Sequence, residues 1–275
     1  MTKEINVGGL CIGGKNSLML IAGPCMLESR ELAFEVAGQV KEICSELQIP
    51  YIFKTSFDKA NRLSVSSPRG QGISYGLEVL SDIKKEMNLP VLTDVHEVAQ
   101  VEEVASVVDI LQIPAFLCRQ TDLVVAAAST GKAVNIKKGQ FLSPYDMGNI
   151  IKKATSVGND KVLVTERGTT FGYGNLVVDM RSFPIMEGFG YPVIFDATHS
   201  VQRPGGLGNA TGGDREFVRC LVRAACAVGI DGLFIEVHPQ PEKALSDAAT
   251  MLPLSELKSV LEESLAIRSA VKRGQ

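Results

Sequence analysis

The sequence predicts an α/β protein folded as a (β/α)8 barrel, and three observations support this. Short apolar segments alternate eight times with segments of helical period, an order typical of parallel strands joined by helices. Polar or charged residues directly follow nearly every apolar segment, as expected at the functional rim of such a barrel. No GxGxxG fingerprint follows the first buried strand, which counts against the alternative of an open, doubly wound sheet.

The elements can be placed in order along the chain. A small hairpin is predicted over residues 4–12, and the first barrel strand, Leu18–Ala22, leads to an amphipathic helix with Ser29 as its N-cap. The later strands are Tyr51–Thr55, Val91–Thr93, Asp109–Ile113, Ala133–Ile136, Lys161–Thr165, Val193–Phe195 and Gly232–Ile235. The later helices are Ile73–Met87, Val98–Val107, Leu123–Ser129, Pro144–Thr155, Arg215–Val228 and Leu254–Val271, with a less regular stretch through Val177 and Met186. We expect a single domain over residues 1–275, with residues 1–17 as an N-terminal hairpin extension.

Composition limits the partners and the compartment. The net charge over 275 residues is −3, so no overall positive field attracts nucleic acid or an anionic membrane. No segment has the length of a membrane span or the basic-then-apolar order of a signal peptide. The six cysteines are widely spaced and include no Cys-x-x-Cys pair, which favours reduced thiols and a cytoplasmic protein.

Positive charge is concentrated at the predicted rim. Lys54, Lys59 and Arg62 follow directly from a buried strand, where cations are costly unless an anion meets them. Phosphate and carboxylate groups of small substrates are the expected anions, although the same side chains could simply coat a solvated loop. Further strand ends carry Arg119, Lys137 and Arg167. This much charge predicts two anionic substrates, or one substrate with two anionic groups. Strand alternation favours Lys137 over its neighbour Lys138 as the inward residue.

A second set of strand ends carries sulfur, imidazole and carboxylate groups. Cys25, His199 and Glu236 follow the first, seventh and eighth strands, which are neighbours in a closed barrel, and Asp247 is a further candidate. Such a mixed set suits a divalent transition metal. A lone cysteine at a strand end is more often a small packed residue, so the residues alone leave both interpretations open.

The segment after the seventh strand is rich in glycine. It runs from Ser200 to Asp214, directly after His199. Its position beside the predicted rim favours a mobile lid that closes over a substrate. The alternative is an ordinary flexible surface loop.

Five segments closely resemble the 3-deoxy-D-manno-octulosonate 8-phosphate synthases. They are Ala22–Cys25, Phe53–Arg62, Thr93–His96, Gln112–Asp122 and Phe195–Ser200. The resemblance extends from about residue 20 to residue 270, and the Lys-Ala-Asn-Arg element at 59–62 is its most specific part. The related heptulosonate-phosphate (DAHP) synthases resemble the chain less well at that element.

The resemblance implies an enzyme of lipopolysaccharide biosynthesis that condenses phosphoenolpyruvate with D-arabinose 5-phosphate and releases phosphate. The implied ligands of phosphoenolpyruvate are Lys54, Lys59, Lys137 and Arg167. Asn61 and Arg62 are implied to grip the phosphate of the sugar, with Arg119 reaching across from a neighbouring subunit. Asp94 and Gln112 are implied to line the site for the sugar. The family resemblance also implies a homotetramer.

The family has a metal-dependent and a metal-independent branch, which carry Cys and Asn, respectively, at the position of Cys25. The resemblance is therefore to the metal-dependent branch. The implied metal ligands are Cys25, His199, Glu236 and Asp247. The implied catalytic residues are Cys25, His199, Asp247 and Lys59. The implied cofactor is a divalent ion, with Zn, Fe, Mn, Co and Cd all compatible with this ligand set.

Two positions depart from the family pattern, and two other functions remain open. Leu63 stands where most members carry Ser, which removes a hydroxyl donor from the sugar-phosphate site, and Ser66 stands where His is common. One alternative function is a heptulosonate-phosphate synthase that uses erythrose 4-phosphate. The other is a non-catalytic phosphate-binding barrel that acts through partner proteins.

Overall fold

The computed structural model describes residues 1–206 and 211–273. Its hairpin and barrel strands are β1 (Ile5–Val7), β2 (Leu10–Ile12), β3 (Met19–Gly23), β4 (Tyr51–Lys54), β5 (Val91–Asp94), β6 (Ile110–Ile113), β7 (Ala133–Lys137), β8 (Val162–Glu166), β9 (Val193–Asp196) and β10 (Gly232–His238). The α-helices of the described residues are α1 (Arg30–Leu47), α2 (Ile73–Met87), α3 (Val101–Val107), α4 (Thr121–Ser129), α5 (Met147–Thr155), α6 (Ser182–Glu187), α7 (Val218–Val228) and α8 (Leu254–Arg273).

Strands β3 to β10 close into a parallel barrel. Each strand pairs with the next along the chain, and β10 pairs with both β9 and β3. The predicted (β/α)8 fold is therefore confirmed, and the open-sheet alternative is wrong. The Ser29 side chain accepts a hydrogen bond from the Leu32 amide at 3.1 Å, which confirms the predicted N-cap of α1.

Local differences from the prediction have simple causes. Strand β10 continues to His238, beyond the predicted end at Ile235, because it remains buried on both faces. Helix α6 occupies part of the stretch predicted to be irregular; its six residues are too few to show a helical period. The helices predicted to begin at Val98, Pro144 and Arg215 each begin with a short 3-10 turn.

The barrel interior is apolar at its lower end and polar at its upper end. Side chains alternate along each strand, so that on β4 Ile52 faces the interior whereas Tyr51 and Phe53 pack against the helices. The lower interior positions are Met19, Ile21, Ile52, Leu92, Ile110, Ala133, Leu163, Ile194 and Phe234. The next inward positions toward the carboxyl ends are Lys54, Asp94, Gln112, Asn135, Thr165, Asp196 and Glu236. The strand period thus places a polar layer on an apolar floor.

The N-terminal hairpin closes the lower end of the barrel. Ile5, Val7 and Ile12 are buried in the same apolar cluster as the lower interior residues. Gly8 and Gly9 form the turn with φ of +54° and +83°, values that side chains rarely adopt. The hairpin is confirmed, and it acts as a plug opposite the polar rim.

Candidate active site

A cleft of about 660 Å³ opens at the carboxyl ends of the barrel strands. Eight of the predicted substrate ligands line it: Lys54, Lys59, Asn61, Arg62, Asp94, Gln112, Lys137 and Arg167. Arg119 is exposed and does not line the cleft of its own chain, and its carbonyl accepts a hydrogen bond from Lys153 Nζ at 2.9 Å. A role for Arg119 in a neighbouring subunit's cleft stays a prediction.

The four predicted metal ligands converge beside this cleft. One ligand atom from each of Cys25, His199, Glu236 and Asp247 lies within 4.8 Å of the others. Cys25 Sγ is 3.2 Å from Asp247 Oδ2, and His199 Nε2 is 3.3 Å from Glu236 Oε2. Closure of the barrel makes this possible, because β10 pairs with both neighbouring strands. Sulfur, nitrogen and carboxylate oxygens in one small cluster match the donors of four-coordinate divalent metal sites.

The protonation and hydrogen bonding of Glu236 fit a bound cation. Its Oε1 accepts a hydrogen bond from Lys54 Nζ at 2.6 Å. Its buried Oε2 makes no hydrogen bond in the described part of the chain, although His199 Nε2 lies 3.3 Å away. A buried carboxylate oxygen without a partner is costly, and a metal ion would satisfy it. Burial alone would raise the pKa of Glu236, but His199, Lys54 and Lys59 hold it well below its ordinary value. The residues present therefore fit a divalent metal.

Asp247 reaches this cluster from an unusual backbone conformation. Its φ is +49°, in the left-handed region, which aspartate tolerates better than most side chains. The Asp247 carbonyl accepts hydrogen bonds from the amides of Thr250 and Met251 at 3.0 and 3.1 Å. The turn that follows Asp247 thus holds this residue in place.

Asp196 orients two side chains of the site. Its Oδ2 lies 2.8 Å from His199 Nδ1 and accepts a hydrogen bond from Lys137 Nζ at 2.6 Å. His199 is thereby held with Nε2 toward Glu236, in the arrangement typical of a histidine metal ligand with a carboxylate behind it. Burial acts to raise the pKa of Asp196, but the neighbouring His199 and Lys137 side chains lower it overall. Asp196 was not among the predicted site residues, although its place at a strand end was a usable signal.

Lys137 and Lys138 have different surroundings. Lys137 Nζ lies 3.8 Å from the centroid of the Phe234 ring, which forms the floor beneath it. Burial lowers the pKa of Lys137, although Asp196 opposes this shift. Lys138 is fully buried outside the cleft, 3.4 Å from Glu166 Oε1, and donates to Thr169 Oγ1 at 3.0 Å. The structure thus places Lys137, the residue favoured by strand alternation, in the cleft.

Arg167 and Arg62 are held differently. Arg167 is buried, and its Nη2 donates to the His199 carbonyl at 2.7 Å and to Gln202 Oε1 at 2.6 Å. Its buried Nε has no partner among the residues described, and burial lowers the pKa of the guanidinium. Arg62 is only half-buried and donates to Ser246 Oγ at 2.9 Å. One guanidinium therefore lies deep in the cleft and the other near its mouth.

Asp94 is surrounded by donors. Its Oδ2 accepts a hydrogen bond from Ser56 Oγ at 2.7 Å, and its Oδ1 accepts one from Gln112 Nε2. Burial would raise the pKa of Asp94, but Lys54 and Lys59 lower it overall. For Lys59, burial acts to lower the pKa, yet the neighbouring Cys25 and Glu236 side chains raise it overall. Both Asp94 and Lys59 are therefore charged at neutral pH.

His96 also lines the cleft and was not among the predicted site residues. Its ring meets the edge of Phe57 at a centroid distance of 5.8 Å, and its buried Nδ1 has no partner among the described residues. The only signal in the sequence for His96 was its position two residues after Asp94, at the end of a strand. One histidine of three was thus recognised as a site residue and another was missed.

The predicted lid is described in part. Residues 207–210, within the glycine-rich segment Ser200–Asp214, lie outside the described residues. On either side, Gln202–Arg203 pairs antiparallel with Gly212–Gly213, and Pro204 and Thr211 line the cleft. The segment is therefore at the cleft, and its closure over a substrate stays a prediction.

Comparison with known proteins identifies the family. Residues 2–273 match the DAHP synthetase I family. The chain belongs to this family. It is 59% identical over 269 residues to a 2-dehydro-3-deoxyphosphooctonate aldolase of Fusobacterium nucleatum, covering 98% of this chain and 97% of that protein. Proteins of the same name from Trichlorobacter lovleyi and Geotalea daltonii are 55% and 57% identical over 272 residues, covering 99% of this chain and all of theirs.

The names of these relatives confirm the resemblance found in the sequence. 2-Dehydro-3-deoxyphosphooctonate aldolase is another name for 3-deoxy-D-manno-octulosonate 8-phosphate synthase. The names do not distinguish the metal-dependent branch from the metal-independent one. None of the helices in the two described ranges is long and apolar enough to cross a membrane.

Proposed function

We propose that this protein condenses phosphoenolpyruvate with D-arabinose 5-phosphate and water to give 3-deoxy-D-manno-octulosonate 8-phosphate and inorganic phosphate. The observation that carries the proposal is the convergence of five cationic side chains on one cleft in the described part of the chain: Lys54, Lys59, Arg62, Lys137 and Arg167. A single phosphate does not require this much charge. The curated relatives of similar length carry the name of the same enzyme.

The proposed ligands of the two substrates differ in how deeply they are buried. Lys54, Lys137 and Arg167 are buried at the base of the cleft, which suits the small and highly charged phosphoenolpyruvate, together with Lys59. Arg62 and Asn61 are more exposed and suit the phosphate at the far end of the sugar. Asp94 and Gln112 lie in the polar layer and face the sugar hydroxyls. Leu63, which is exposed and lines the cleft, contributes no hydroxyl to the phosphate site.

The reaction needs little covalent catalysis by the protein. The enol carbon of phosphoenolpyruvate attacks the aldehyde carbon of the open-chain sugar, and the aldehyde oxygen takes up a proton as it becomes a hydroxyl group. Water adds at the carbon that bears the phosphate, and the resulting hemiketal phosphate loses phosphate by C–O cleavage. The clustered cations hold two mutually repelling anions in contact and stabilise the charge that develops. Phosphoenolpyruvate is already an enol, so no imine with a lysine is required.

The metal-dependent form of the reaction is part of this proposal. Cys25, His199, Glu236 and Asp247 would hold the divalent ion, and the unpartnered Glu236 Oε2 supports this assignment. When bound, such an ion supplies Lewis acidity. The donor set accepts Zn, Fe, Mn, Co or Cd. Of the proposed ligands, Cys25, His199 and Asp247 act with Lys59 as the catalytic group.

A phosphate-release assay tests the proposed function. We expect phosphate to be released from phosphoenolpyruvate only when arabinose 5-phosphate is present, to stop after chelation, and to resume when a divalent ion is restored. Phosphoenolpyruvate alone is the control. Full activity in a chelator would contradict the metal assignment while leaving the condensation intact. Binding of both compounds without phosphate release would instead support the non-catalytic barrel.

A heptulosonate-phosphate synthase is the second candidate function. The description of the matching family favours it, because that description names the DAHP enzymes. The two candidates use the same phosphoenolpyruvate chemistry and differ in the sugar. Faster turnover of erythrose 4-phosphate than of arabinose 5-phosphate would favour this second candidate.

We also propose a cytoplasmic homotetramer in which Arg119 completes the cleft of a neighbouring subunit. All six cysteines, which lie in the described part of the chain, are free, as expected in a reducing compartment. Phe116 and Phe141 each expose more than half of their surface, and a neighbouring subunit would cover them. Phe116 lies three residues before Arg119.

Subunit mixing is expected to reveal whether Arg119 acts across an interface. Arg119→Ala has an intact cleft but lacks the guanidinium, whereas Lys137→Ala has Arg119 but a damaged cleft. Each variant alone should be nearly inactive. Mixed assemblies formed by co-expression should regain a substantial fraction of wild-type phosphate release, because some intact clefts then receive Arg119 from the other variant. If the mixture were no more active than the separate variants, Arg119 would not act in trans.

A further inference from the structure

A continuous set of hydrogen bonds crosses the interior of the barrel at the base of the cleft. We call its members, Ser56, Asp94, Gln112, Asn135 and Thr165, the barrel network. Thr165 Oγ1 donates to Asn135 Oδ1 at 2.7 Å, and Asn135 Nδ2 donates to Gln112 Oε1 at 2.9 Å. Gln112 Nε2 donates to Asp94 Oδ1, and Ser56 Oγ donates to Asp94 Oδ2 at 2.7 Å.

The direction of these bonds is set by the carboxylate. Asp94 is ionised and only accepts hydrogen bonds, so Gln112 must turn its amide nitrogen toward it. The Gln112 oxygen then needs a donor, which Asn135 provides, and the Asn135 oxygen needs the hydroxyl hydrogen of Thr165. On the other side, Lys59 Nζ donates to Ser56 Oγ at 3.0 Å and leaves the serine hydrogen for Asp94. Each hydrogen bond in the network therefore has only one possible assignment of donor and acceptor.

Asn135 and Thr165 are not positioned to touch a substrate. Both are fully buried, and neither lines the cleft, whereas Asp94 and Gln112 do. Asn135 is the register partner of Gln112, and Gln112 is the register partner of Asp94, so the three lie side by side at one level of the barrel. Without Asn135 and Thr165 the Gln112 oxygen would lose its donor, and only the hydrogen bond to Asp94 would hold the amide in place.

We propose that Asn135 and Thr165 are positioning residues that lock the Gln112 amide and the Asp94 carboxylate in the orientation that recognises the sugar hydroxyls. This inference rests on the proposed function and extends it to two residues outside the cleft. From Thr165 and Asn135 the network leads first to Gln112 and Asp94, the groups assigned to the sugar. It reaches Lys59, a proposed ligand of phosphoenolpyruvate, only at its opposite end, through Ser56. Its loss should therefore weaken use of the aldehyde substrate and spare phosphoenolpyruvate.

The test is Thr165→Val, which keeps the shape of the side chain and removes the hydroxyl. We expect kcat/KM for arabinose 5-phosphate to fall by about 10- to 100-fold, because a small misplacement of a binding group has an effect of this size. We expect KM for phosphoenolpyruvate to stay within about twofold of the wild-type value. Thr165→Ser restores the donor and should recover most of the loss. Should Thr165→Val not fold, Thr165→Cys serves instead, because the thiol is a much weaker donor.

Thr93→Val is the matched control. Thr93 is also fully buried and donates one hydrogen bond of 2.7 Å, to the Thr55 carbonyl, but it lies outside the network. An equal kinetic loss in Thr93→Val, an equal rise in KM for phosphoenolpyruvate, or unchanged kinetics in Thr165→Val would each overturn the inference. Absence of phosphate release by the unaltered protein would instead overturn the proposed function, and this inference with it.

Discussion

Replacing Cys25 with alanine is expected to remove the divalent ion from the purified protein and to lower kcat by about a hundredfold or more. The thiol supplies the only sulfur of the proposed ligand set, 3.2 Å from Asp247 Oδ2. Its loss leaves Glu236, Asp247 and the His199 ring as three ligands with a weakened hold on a cation. Metal content per chain, measured by mass spectrometry, is the primary readout, and phosphate release is the second.

Cys44→Ala is the matched control for this experiment. Cys44 is as buried as Cys25 but lies in α1, away from the cleft, and burial raises its pKa to about 12. We expect this variant to retain its metal and its activity. Metal content in Cys25→Ala equal to that of wild type would contradict the assignment. Cys25→Asn carries the residue implied for the metal-independent branch, and any activity that it retains should be insensitive to chelation.

Arg167→Ala is expected to lower kcat/KM for phosphoenolpyruvate by about 10² to 10³-fold, the cost of truncating a buried, hydrogen-bonded charge. The guanidinium is buried at the base of the cleft, and two of its contacts, to the His199 carbonyl and Gln202, hold it there. Its Nε remains a buried donor without a partner among the described residues, and an anion in the cleft would satisfy it. Steady-state kinetics with phosphoenolpyruvate as the varied substrate measure the effect.

Two further variants separate the possible causes. Arg167→Lys keeps the charge but lacks the planar fork of donors, so it should recover only part of the loss. Arg181→Ala removes an arginine that is paired with Asp179 at the surface, and it should leave the kinetics unchanged. If Arg167→Ala had a wild-type KM and kcat for phosphoenolpyruvate, Arg167 would have no place in the site.

Two periodicities in the sequence were sufficient to predict the fold and most of the cleft. The alternation of apolar strands and helices predicted the barrel, and the period of two along a strand predicted that Lys137, rather than Lys138, faces inward. The ends of parallel strands meet at one rim, so residues far apart in the chain, such as Asp94 and Arg167, could be grouped from the order of the elements alone.

Other site residues had a weak signal in the sequence or none. Asp196 ends a strand like many residues, and its importance comes from its contacts with both His199 and Lys137. Phe234 appears in the sequence as an ordinary core residue, yet its ring lies beneath Lys137. Helix α6 was missed because six residues show no clear period.

The sequence by itself determined which side chains face the barrel interior and how far along the barrel axis each one lies. The reason is that alternate residues of a strand point to opposite faces. The sequence also determined that several cations gather at the rim. Only the tertiary structure decided which of these groups touch, because ring closure brings the ends of β3, β9 and β10 together and the turn at Asp247 adds a ligand from a loop. Hydrogen bonds have direction and a reach of about 3 Å, so contacts such as those of Asn135 and Thr165 depend on the packed barrel and on no local pattern.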